Sequence, residues 1–147
     1  MPIDISAGIF RQVKEAEREA QQHLNRGEYT EAAKQFRRCH RLMQQYAEYG
    51  QGEMVRRMRL DEAEKYLARA TQYAERAAEK APQLPWATEA ALEYRSEAGD
   101  WDEALKLLGD GRSGSAEEKK TYARRKAVLL TARAAARLDA DPKGARE

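Results

Sequence analysis

The segment from Leu60 to Ala81 carries the pattern that most constrains the fold. Apolar side chains recur in it at alternating steps of three and four residues, at Leu60, Ala63, Leu67, Ala70, Ala74, Ala77 and Ala81. This spacing places them on one face of an α-helix that packs lengthwise against its neighbours. Because most of these side chains are alanine, the neighbouring helix axes can come close together. The pattern therefore predicts a long helix over residues 53–80 in an all-α fold.

Two preceding segments, residues 6–25 and 29–48, show the same helical spacing. Their apolar stripes are Ile9, Val13, Ala16, Ala20 and Leu24 in the first and Tyr29, Ala32, Ala33, Phe36, Cys39, Leu42, Met43 and Tyr46 in the second. Ser6 is a candidate N-cap, Gly27 ends the first helix, and Gly50-Gln51-Gly52 ends the second. Because such short connections reach only the adjacent end of the next helix, we expect the three helices to lie antiparallel.

Pro82 and Pro85 mark the predicted boundary between two domains, residues 1–81 and 82–147, because proline removes a backbone donor and disfavours helix in the residue before it. Helical spacing resumes over residues 86–98, 101–108 and 116–138. Two candidate capping boxes open the last two helices, Asp100 with Glu103 and Ser115 with Glu118. The sequence thus predicts about six antiparallel helices packed as one continuous solenoid.

The predicted core is rich in alanine, and a few larger side chains fill the remaining space. These larger residues are Phe36, Tyr66, Leu67, Tyr73, Trp86, Tyr94, Trp101 and Leu130. In the last helix, the stripe expected to be buried is Tyr122 or Ala123, followed by Ala127, Leu130, Ala134 and Leu138.

The charge balance of the chain gives it no strong global field. Lysine plus arginine number 27 and aspartate plus glutamate 25, for a net charge of +2, and the basic residues are interleaved with acidic ones. We therefore expect no nucleic-acid partner and no membrane partner. Cys39 is the only cysteine, which excludes an internal disulfide and a cysteine-based zinc cage. Because we find no apolar run of about 18 residues and no secretory leader at the start, we expect a cytoplasmic protein. We also expect it to be a monomer.

Residue types that carry catalysis or bind metals are present but poorly arranged for either. His23 and His40 fall at different heights of the first helical hairpin, so we expect two partly exposed histidines and no shared metal site. Cys39 lies on an apolar stripe with His40 about 100 degrees away around the helix, which predicts a buried, inert thiol. Acidic pairs such as Asp100 with Asp102 stand at helix starts, where capping explains them. We expect no enzyme activity and no cofactor.

One predicted surface combines basic and apolar side chains. Arg56 and Arg57 stand between Met54 and Met58 at the start of the third helix, where the four residues would seat an acidic amphipathic segment. The methionines have an alternative role, which is to fill the gap where the second helix meets the third.

A short motif occurs twice, as Gly27-Glu28-Tyr29-Thr30-Glu31-Ala32 and as Gly99-Asp100-Trp101-Asp102-Glu103-Ala104. Its glycine suits the left-handed end of a helix, its acidic residue suits the start of the next helix, and its aromatic residue and alanine suit the contact between the two. The motif resembles the centre of a tetratricopeptide (TPR) repeat, whose later positions fall on Phe36 and Cys39 in the first copy. This resemblance implies a TPR-like array of antiparallel helical hairpins.

Residues 1–81 also resemble the three-helix MIT domain, a TPR-related bundle found beside AAA ATPases and in other membrane-trafficking proteins. The resemblance rests on Lys65-Tyr66-Leu67-Ala68-Arg69-Ala70-Thr71-Gln72-Tyr73 in the third helix. It implies that a groove beside this helix, between helices two and three or between one and three, binds an amphipathic peptide at Leu67 and Ala70. Ala68 and Thr71 stand where that family usually has acidic residues, which removes carboxylates that could pair with a basic peptide.

Residues 82–147 resemble the C-terminal TPR region of HemY-type proteins, which are associated with bacterial haem biosynthesis. The residues that carry this resemblance are Leu84-Pro85-Trp86-Ala87-Thr88-Glu89-Ala90-Ala91-Leu92-Glu93-Tyr94-Arg95, Ala98-Gly99-Asp100-Trp101 and Arg125-Lys126-Ala127-Val128-Leu129-Leu130-Thr131-Ala132-Arg133-Ala134. Because two different resemblances meet near Pro82, we expect an engineered or chimeric helical scaffold without catalytic activity, built from natural helical-repeat pieces. The alternative is a natural adaptor that captures an amphipathic helical segment in a groove beside the third helix.

Overall fold

A computed structural model describes residues 5–83, 85–109 and 116–140 of the protein, and the regular structure in these ranges is entirely helical. The helices are α1 (Ile5–Asn25), α2 (Tyr29–Glu48), α3 (Glu53–Lys80), α4 (Pro85–Glu97), α5 (Trp101–Leu108) and α6 (Ala116–Ala140). The predicted all-α array of six helices is confirmed, although Ser6 lies inside α1 and does not cap it. Among the described helices, none is long and apolar enough to cross a membrane.

A left-handed glycine follows α1 and another follows α4, as the repeated motif predicts. Gly27 has a φ of 73° and Gly99 a φ of 82°, a conformation that costs glycine little because it has no Cβ. After α1, the N–H of Glu28 donates to the carbonyl of His23 at 2.9 Å and the N–H of Gly27 donates to Leu24 at 3.0 Å. Equivalent bonds close the turn at Gly99. These turns satisfy the last carbonyls of each helix and start the chain on its return path.

The central helix α2 packs along both α1 and α3. Alanine is the commonest buried residue in these three helices, at Ala16, Ala20, Ala32, Ala33, Ala47, Ala63, Ala70, Ala74 and Ala77. Phe36, Val13 and Cys39 are the largest side chains that are completely buried, and the Cys39 Sγ lies 3.6 Å from the Val13 carbonyl oxygen. Small side chains allow the helices to approach closely, and these larger ones fill the space that remains.

Half of the large side chains predicted for the core are buried. Phe36, Tyr66, Leu67 and Tyr94 are at most 8% exposed. Tyr73, Trp86 and Trp101 are half-buried, which suits rings that keep a polar atom near water. Leu130 is 36% exposed, so its predicted burial is wrong.

The chain forms two compact units, Met1–Ala90 and Ala91–Glu147, which divide within α4. The boundary predicted between residues 81 and 82 lies before that helix, and the corresponding domain assignment stays a prediction. In the first unit, the Lys34 ammonium of α2 lies 4.9 Å from the ring centre of Trp86 at the start of α4. In the second unit, α5 packs against α6.

The helix α6 uses a different face from the predicted one. Most positions expected to be buried are instead exposed, namely Ala123, Ala127, Leu130, Ala134 and Leu138. Tyr122, the alternative to Ala123, is half-buried, and Leu129 is buried. Two polar contacts fix this rotation: the Tyr122 hydroxyl donates to the Gly109 carbonyl at 2.9 Å, and Arg133 donates to Asp102 at 2.9 Å. Tyr122, Leu129 and Arg133 lie on one side of α6 because they are seven and four residues apart.

The capping box predicted at the start of α5 is wrong. Asp100 makes no side-chain cap bond, and its Oδ2 instead accepts a hydrogen bond from Arg95 at 3.1 Å. Glu103 forms an ion pair with Lys106 at 3.1 Å. Each of the two carboxylates therefore pairs with a charged side chain, whereas in a capping box it would accept a hydrogen bond from a backbone N–H group. Ser115, from the other predicted box, lies outside the described residues.

The close approach of α2 and α3 predicts a position-dependent response to larger side chains. Ala70 is completely buried whereas Ala68 is exposed on the same helix. We expect Ala70→Leu to lower the free energy of unfolding by about 1–3 kcal/mol because the added methyl groups overfill the interface. Ala68→Leu should change it by no more than about 0.5 kcal/mol. Urea unfolding followed by circular dichroism measures both, and equal midpoints for the two variants would contradict the close packing.

Candidate binding surface along α3

The two positions implied by the MIT resemblance lie in the core. Leu67 is 3% exposed and Ala70 is completely buried. Both belong to the side of α3 that packs into the three-helix unit, where α3 contacts α2. Their side chains therefore stabilise the packing and present almost no surface to a ligand.

The predicted basic and apolar patch lies at the start of α3 and is open to solvent. Met54 is 78% exposed and Met58 is 63% exposed, so the alternative in which they fill a gap between α2 and α3 is wrong. Arg57 lies on the same side as these methionines, three residues after the first and one before the second. The Glu53 carboxylate pairs with Arg56 at 3.4 Å and with Arg57 at 3.9 Å. The structure thus brings Met54, Arg57 and Met58 together, while Arg56 lies about 200 degrees around the helix from Met54.

Three stacked aromatic rings lie where the start of α2 meets the second half of α3. The ring of Tyr73 is nearly parallel to two others, with interplanar angles of 7° to Tyr29 and 18° to Phe36. The ring centres are 6.0 Å apart in the first pair and 5.6 Å apart in the second, which is the range of favourable aromatic contacts. Phe36 is buried and the two tyrosines are half-buried, so the stack extends from the core to the surface.

Three exposed cations of α3 lie against this stack. The guanidinium carbon of Arg69 is 4.9 Å from the ring centre of Phe36, and that of Arg76 is 5.9 Å from Tyr29 and 5.7 Å from Tyr73. The Lys80 ammonium nitrogen is 4.6 Å from the ring centre of Tyr29. Each cation–π contact of this kind is worth about 0.5–1 kcal/mol at an exposed site.

These features lie towards the two ends of one side of α3, which we call the α3 surface, and the ion pair of Lys65 with Glu62 lies between them. The α3 surface consists of Met54, Met58, Arg69, Tyr73, Arg76 and Lys80. Counted at 3.6 residues per turn, these positions fall within about 100 degrees of one another and extend over about 39 Å of the helix. The sequence places the α3 residues on a common side, but the contribution of Tyr29 depends on how α2 and α3 align. That alignment is not visible in the spacing of either helix.

Two titratable groups behind the α3 surface have strongly raised pKa values. Burial, with a smaller contribution from the negative charge of Glu17, raises the pKa of the Cys39 thiol from 9.0 to about 12. The Tyr66 hydroxyl donates a hydrogen bond to the Glu17 carboxylate and thereby joins α3 to α1. Burial and this hydrogen bond raise the pKa of Tyr66 well above its ordinary value. Both groups are protonated at neutral pH, which disfavours a role for either as a nucleophile or base.

The two histidines have different environments. His40 is 2% exposed, so its predicted partial exposure is wrong, whereas the His23 side chain is 24% exposed as predicted. The Nδ1 atom of His40 lies 3.2 Å from Nη1 of Arg37, which is also buried. Because a guanidinium can only donate, this nitrogen of His40 accepts the hydrogen bond. Within the described ranges, no three His, Cys, Asp or Glu side chains are grouped so that they could hold a metal ion.

A concave surface lies between α5 and α6. Its lining includes Trp101, Asp102, Arg133 and Arg137. Asp102 lies between the two arginines, 2.9 Å from a nitrogen of Arg133 and 4.0 Å from one of Arg137. Because these charges compensate one another, this cleft is less suited to a charged ligand than the α3 surface.

The raised pKa of Cys39 predicts that alkaline pH destabilises the fold. Between pH 9.0 and about 12 the unfolded chain has lost a proton that the folded chain retains. The free energy of unfolding therefore falls in this range, by up to about 1.4 kcal/mol per pH unit for this single group. The stability that the protonated Cys39 thiol contributes is complete below pH 9.0 and is lost as the pH rises to about 12. The raised pKa of Tyr66 also makes the free energy of unfolding fall as the pH rises.

In the variant Cys39→Ala, the free energy of unfolding should fall less steeply with pH between about pH 9 and pH 11, because the folded and unfolded chains no longer differ by the proton of this thiol. Urea unfolding at a series of pH values measures the slope, which is independent of the packing lost in the variant. The conservative variant Tyr66→Phe serves as a second probe, because it removes the other group that acts in this direction. A slope unchanged in Cys39→Ala would contradict the assigned pKa.

No protein-family model matches this chain, no curated protein matches it, and no solved structure matches it. The likeness to MIT domains and to TPR regions therefore rests on the residues quoted above and stays a prediction. The function has to be argued from the geometry of the α3 surface.

Proposed function

We propose that the protein is a non-catalytic helical scaffold that binds an amphipathic helical segment along the α3 surface. The observation that carries this proposal is the exposure of Met54 and Met58, at 78% and 63%, in line with the cations of the same helix. Large apolar side chains grouped on a helix surface and bordered by charges are typical of sites that receive the apolar side of another helix. Methionine suits such a site because its flexible thioether adapts to different partners.

The non-catalytic part of the proposal is supported by the state of the reactive groups. Cys39 is buried with a pKa of about 12, and the hydroxyl of Tyr66 is held by Glu17. Catalytic groups usually have pKa values shifted towards the working pH, whereas these two are shifted away from it. We propose a cytoplasmic monomer that binds neither nucleic acid nor membranes, in keeping with the balanced charge of the chain.

The two resemblances support a further possibility for the origin of the scaffold. An MIT-like segment over residues 1–81 and a HemY-like segment over residues 82–147 favour a chimera, engineered from two helical-repeat proteins. An engineered scaffold can fold stably without any ligand, whereas a natural adaptor has to bind one. The two alternatives therefore differ in whether the α3 surface binds peptides.

An NMR titration of the full chain tests peptide binding directly. The probes are amphipathic helical peptides of about 20 residues, which are long enough to cover most of α3, in acidic, neutral and basic versions. We expect saturable shifts at the methyl groups of Met54 and Met58 and at the amides of residues 69–80. Shifts confined to α5 and α6 would contradict the assigned surface. A complete lack of saturable shifts with all three peptides would overturn the binding proposal and favour an inert scaffold.

A matched pair of variants shows whether the methionines contribute. Met58→Gln removes apolar surface from the proposed site, and we expect it to weaken peptide binding about three- to tenfold. Val128→Gln is the control, because Val128 on α6 is also 63% exposed but lies outside the site. Isothermal titration calorimetry measures both dissociation constants, and equal losses in the two variants would contradict a role for Met58.

A further inference from the structure

We propose that the α3 surface selects an acidic partner helix, whose carboxylates bind Arg69, Arg76 and Lys80. This inference rests on the proposed function and specifies the charge of the partner. It concerns the second half of α3, where the cations lie against aromatic rings. The methionines at the other end of the surface would contact the apolar side of the same partner.

The first argument is the absence of local charge compensation at these cations. Several exposed cations pair with a carboxylate of their own helix, such as Lys34 with Glu31 at 3.6 Å and Lys65 with Glu62 at 3.0 Å. Arg69, Arg76 and Lys80 have no such partner in the part of the chain that the structure describes. An aromatic ring attracts a cation through its quadrupole and leaves the net charge unchanged. A carboxylate of a ligand could therefore bind these three cations without first displacing an ion pair.

The second argument is the spacing of the cations. Arg69 and Arg76 are seven residues apart, and Lys80 follows four residues later, which corresponds to rises of about 10 Å and 6 Å along α3. A partner helix lying alongside α3 has the same rise per residue. Carboxylates at steps of seven and four residues on one side of that helix would face the three cations in turn. An acidic helix thus fits the charge and the periodicity together.

The third argument concerns the aromatic rings and disfavours a nucleic acid. Proteins that bind single strands stack the bases on free aromatic faces. Here the ring of Tyr73 is close to those of Tyr29 and Phe36, with ring centres 6.0 Å and 5.6 Å away. Phe36 is buried, and Tyr29 is contacted by Lys80 and Tyr73. The rings already contact one another and the cations, which disfavours the stacking of a base on them.

Three peptides with one apolar side and different polar residues test the inference on the full chain. Each is an alanine-based helix of about 20 residues with leucines along one side, and each carries Glu, Gln or Lys at steps of seven and four residues. Fluorescence anisotropy at low ionic strength gives their dissociation constants. We expect the Glu peptide to bind about tenfold more tightly than the Gln peptide, since each exposed pair contributes a small amount. The difference should shrink at high salt because the charges are screened.

Variants of the cations locate the effect. In the double variant Arg76→Gln, Lys80→Gln we expect the preference for Glu over Gln to fall to about twofold or less. Lys106→Gln is the matched control, because Lys106 is an exposed cation of α5 that already pairs with Glu103 at 3.1 Å and lies outside the α3 surface, and it should retain the full preference. Arg76→Lys keeps the charge and should also retain it. Thermal unfolding followed by circular dichroism checks that each variant is folded.

The outcomes separate this inference from the proposed function. Equal binding of the Glu and Gln peptides would overturn the acidic partner and leave the binding scaffold intact. Failure of all three peptides to bind would overturn both. A single-stranded oligonucleotide of about 15 nucleotides is the remaining probe, long enough to span the cationic half of the α3 surface. Tighter binding of this oligonucleotide than of the Glu peptide would overturn the inference in favour of a nucleic acid.

Discussion

The close contact of α2 with both α1 and α3 determines the other features of this protein. Alanine is the commonest residue at the buried positions of the three helices, so the helix axes approach closely and few large side chains fit between them. Phe36 is the largest side chain that is completely buried. Its ring lies at one end of the aromatic stack, and the stack supports the cations at the surface. The packing of small residues and the exposed cationic surface are therefore parts of one arrangement.

A partly buried carboxylate contact adds specificity to this packing. Glu17 of α1 accepts a hydrogen bond from Tyr66 of α3, and its charge also raises the pKa of Cys39 on α2. One side chain therefore influences a group on each of the other two helices. Because an uncompensated buried polar group costs free energy, such contacts favour one alignment of the helices over others. Apolar alanine contacts alone would discriminate less well between alternative alignments.

The helices were predictable because each signal is local. The three- and four-residue spacing gave the three long helices, and Gly27 and Gly99 have the left-handed conformation that their position in the repeated motif requires. Errors arose where contacts distant in the sequence decide the outcome. Tyr122 and Arg133 bind groups on or next to α5 and rotate α6 away from its expected face. The burial of His40 beside Arg37 likewise depends on tertiary packing. The polarity of histidine had instead favoured partial exposure.

The candidate site was only partly predictable for the same reason. Met54 and Met58 were recognised as a surface because they combine with arginines within one short segment. The stacked rings were missed, since Tyr29 and Tyr73 belong to different helices and meet only when α2 and α3 are aligned. The resemblance to MIT domains predicted ligand contacts at Leu67 and Ala70, but an apolar pair on a packed helix serves the core as readily as a ligand. In this structure both are buried.

The order of features along α3 gives the surface a direction. Methionines at the beginning of the helix provide adaptable apolar contact, whereas Arg76 and Lys80 near its end provide charges held in place by rings. A symmetric apolar stripe would accept a partner helix in either orientation. Here, a partner with apolar residues at one end and carboxylates at the other gains both sets of contacts in only one orientation, because reversal places its carboxylates against the methionines. The helix α3, which contributes much of the core, would thus also determine the orientation of a partner helix through the residues on its outer side.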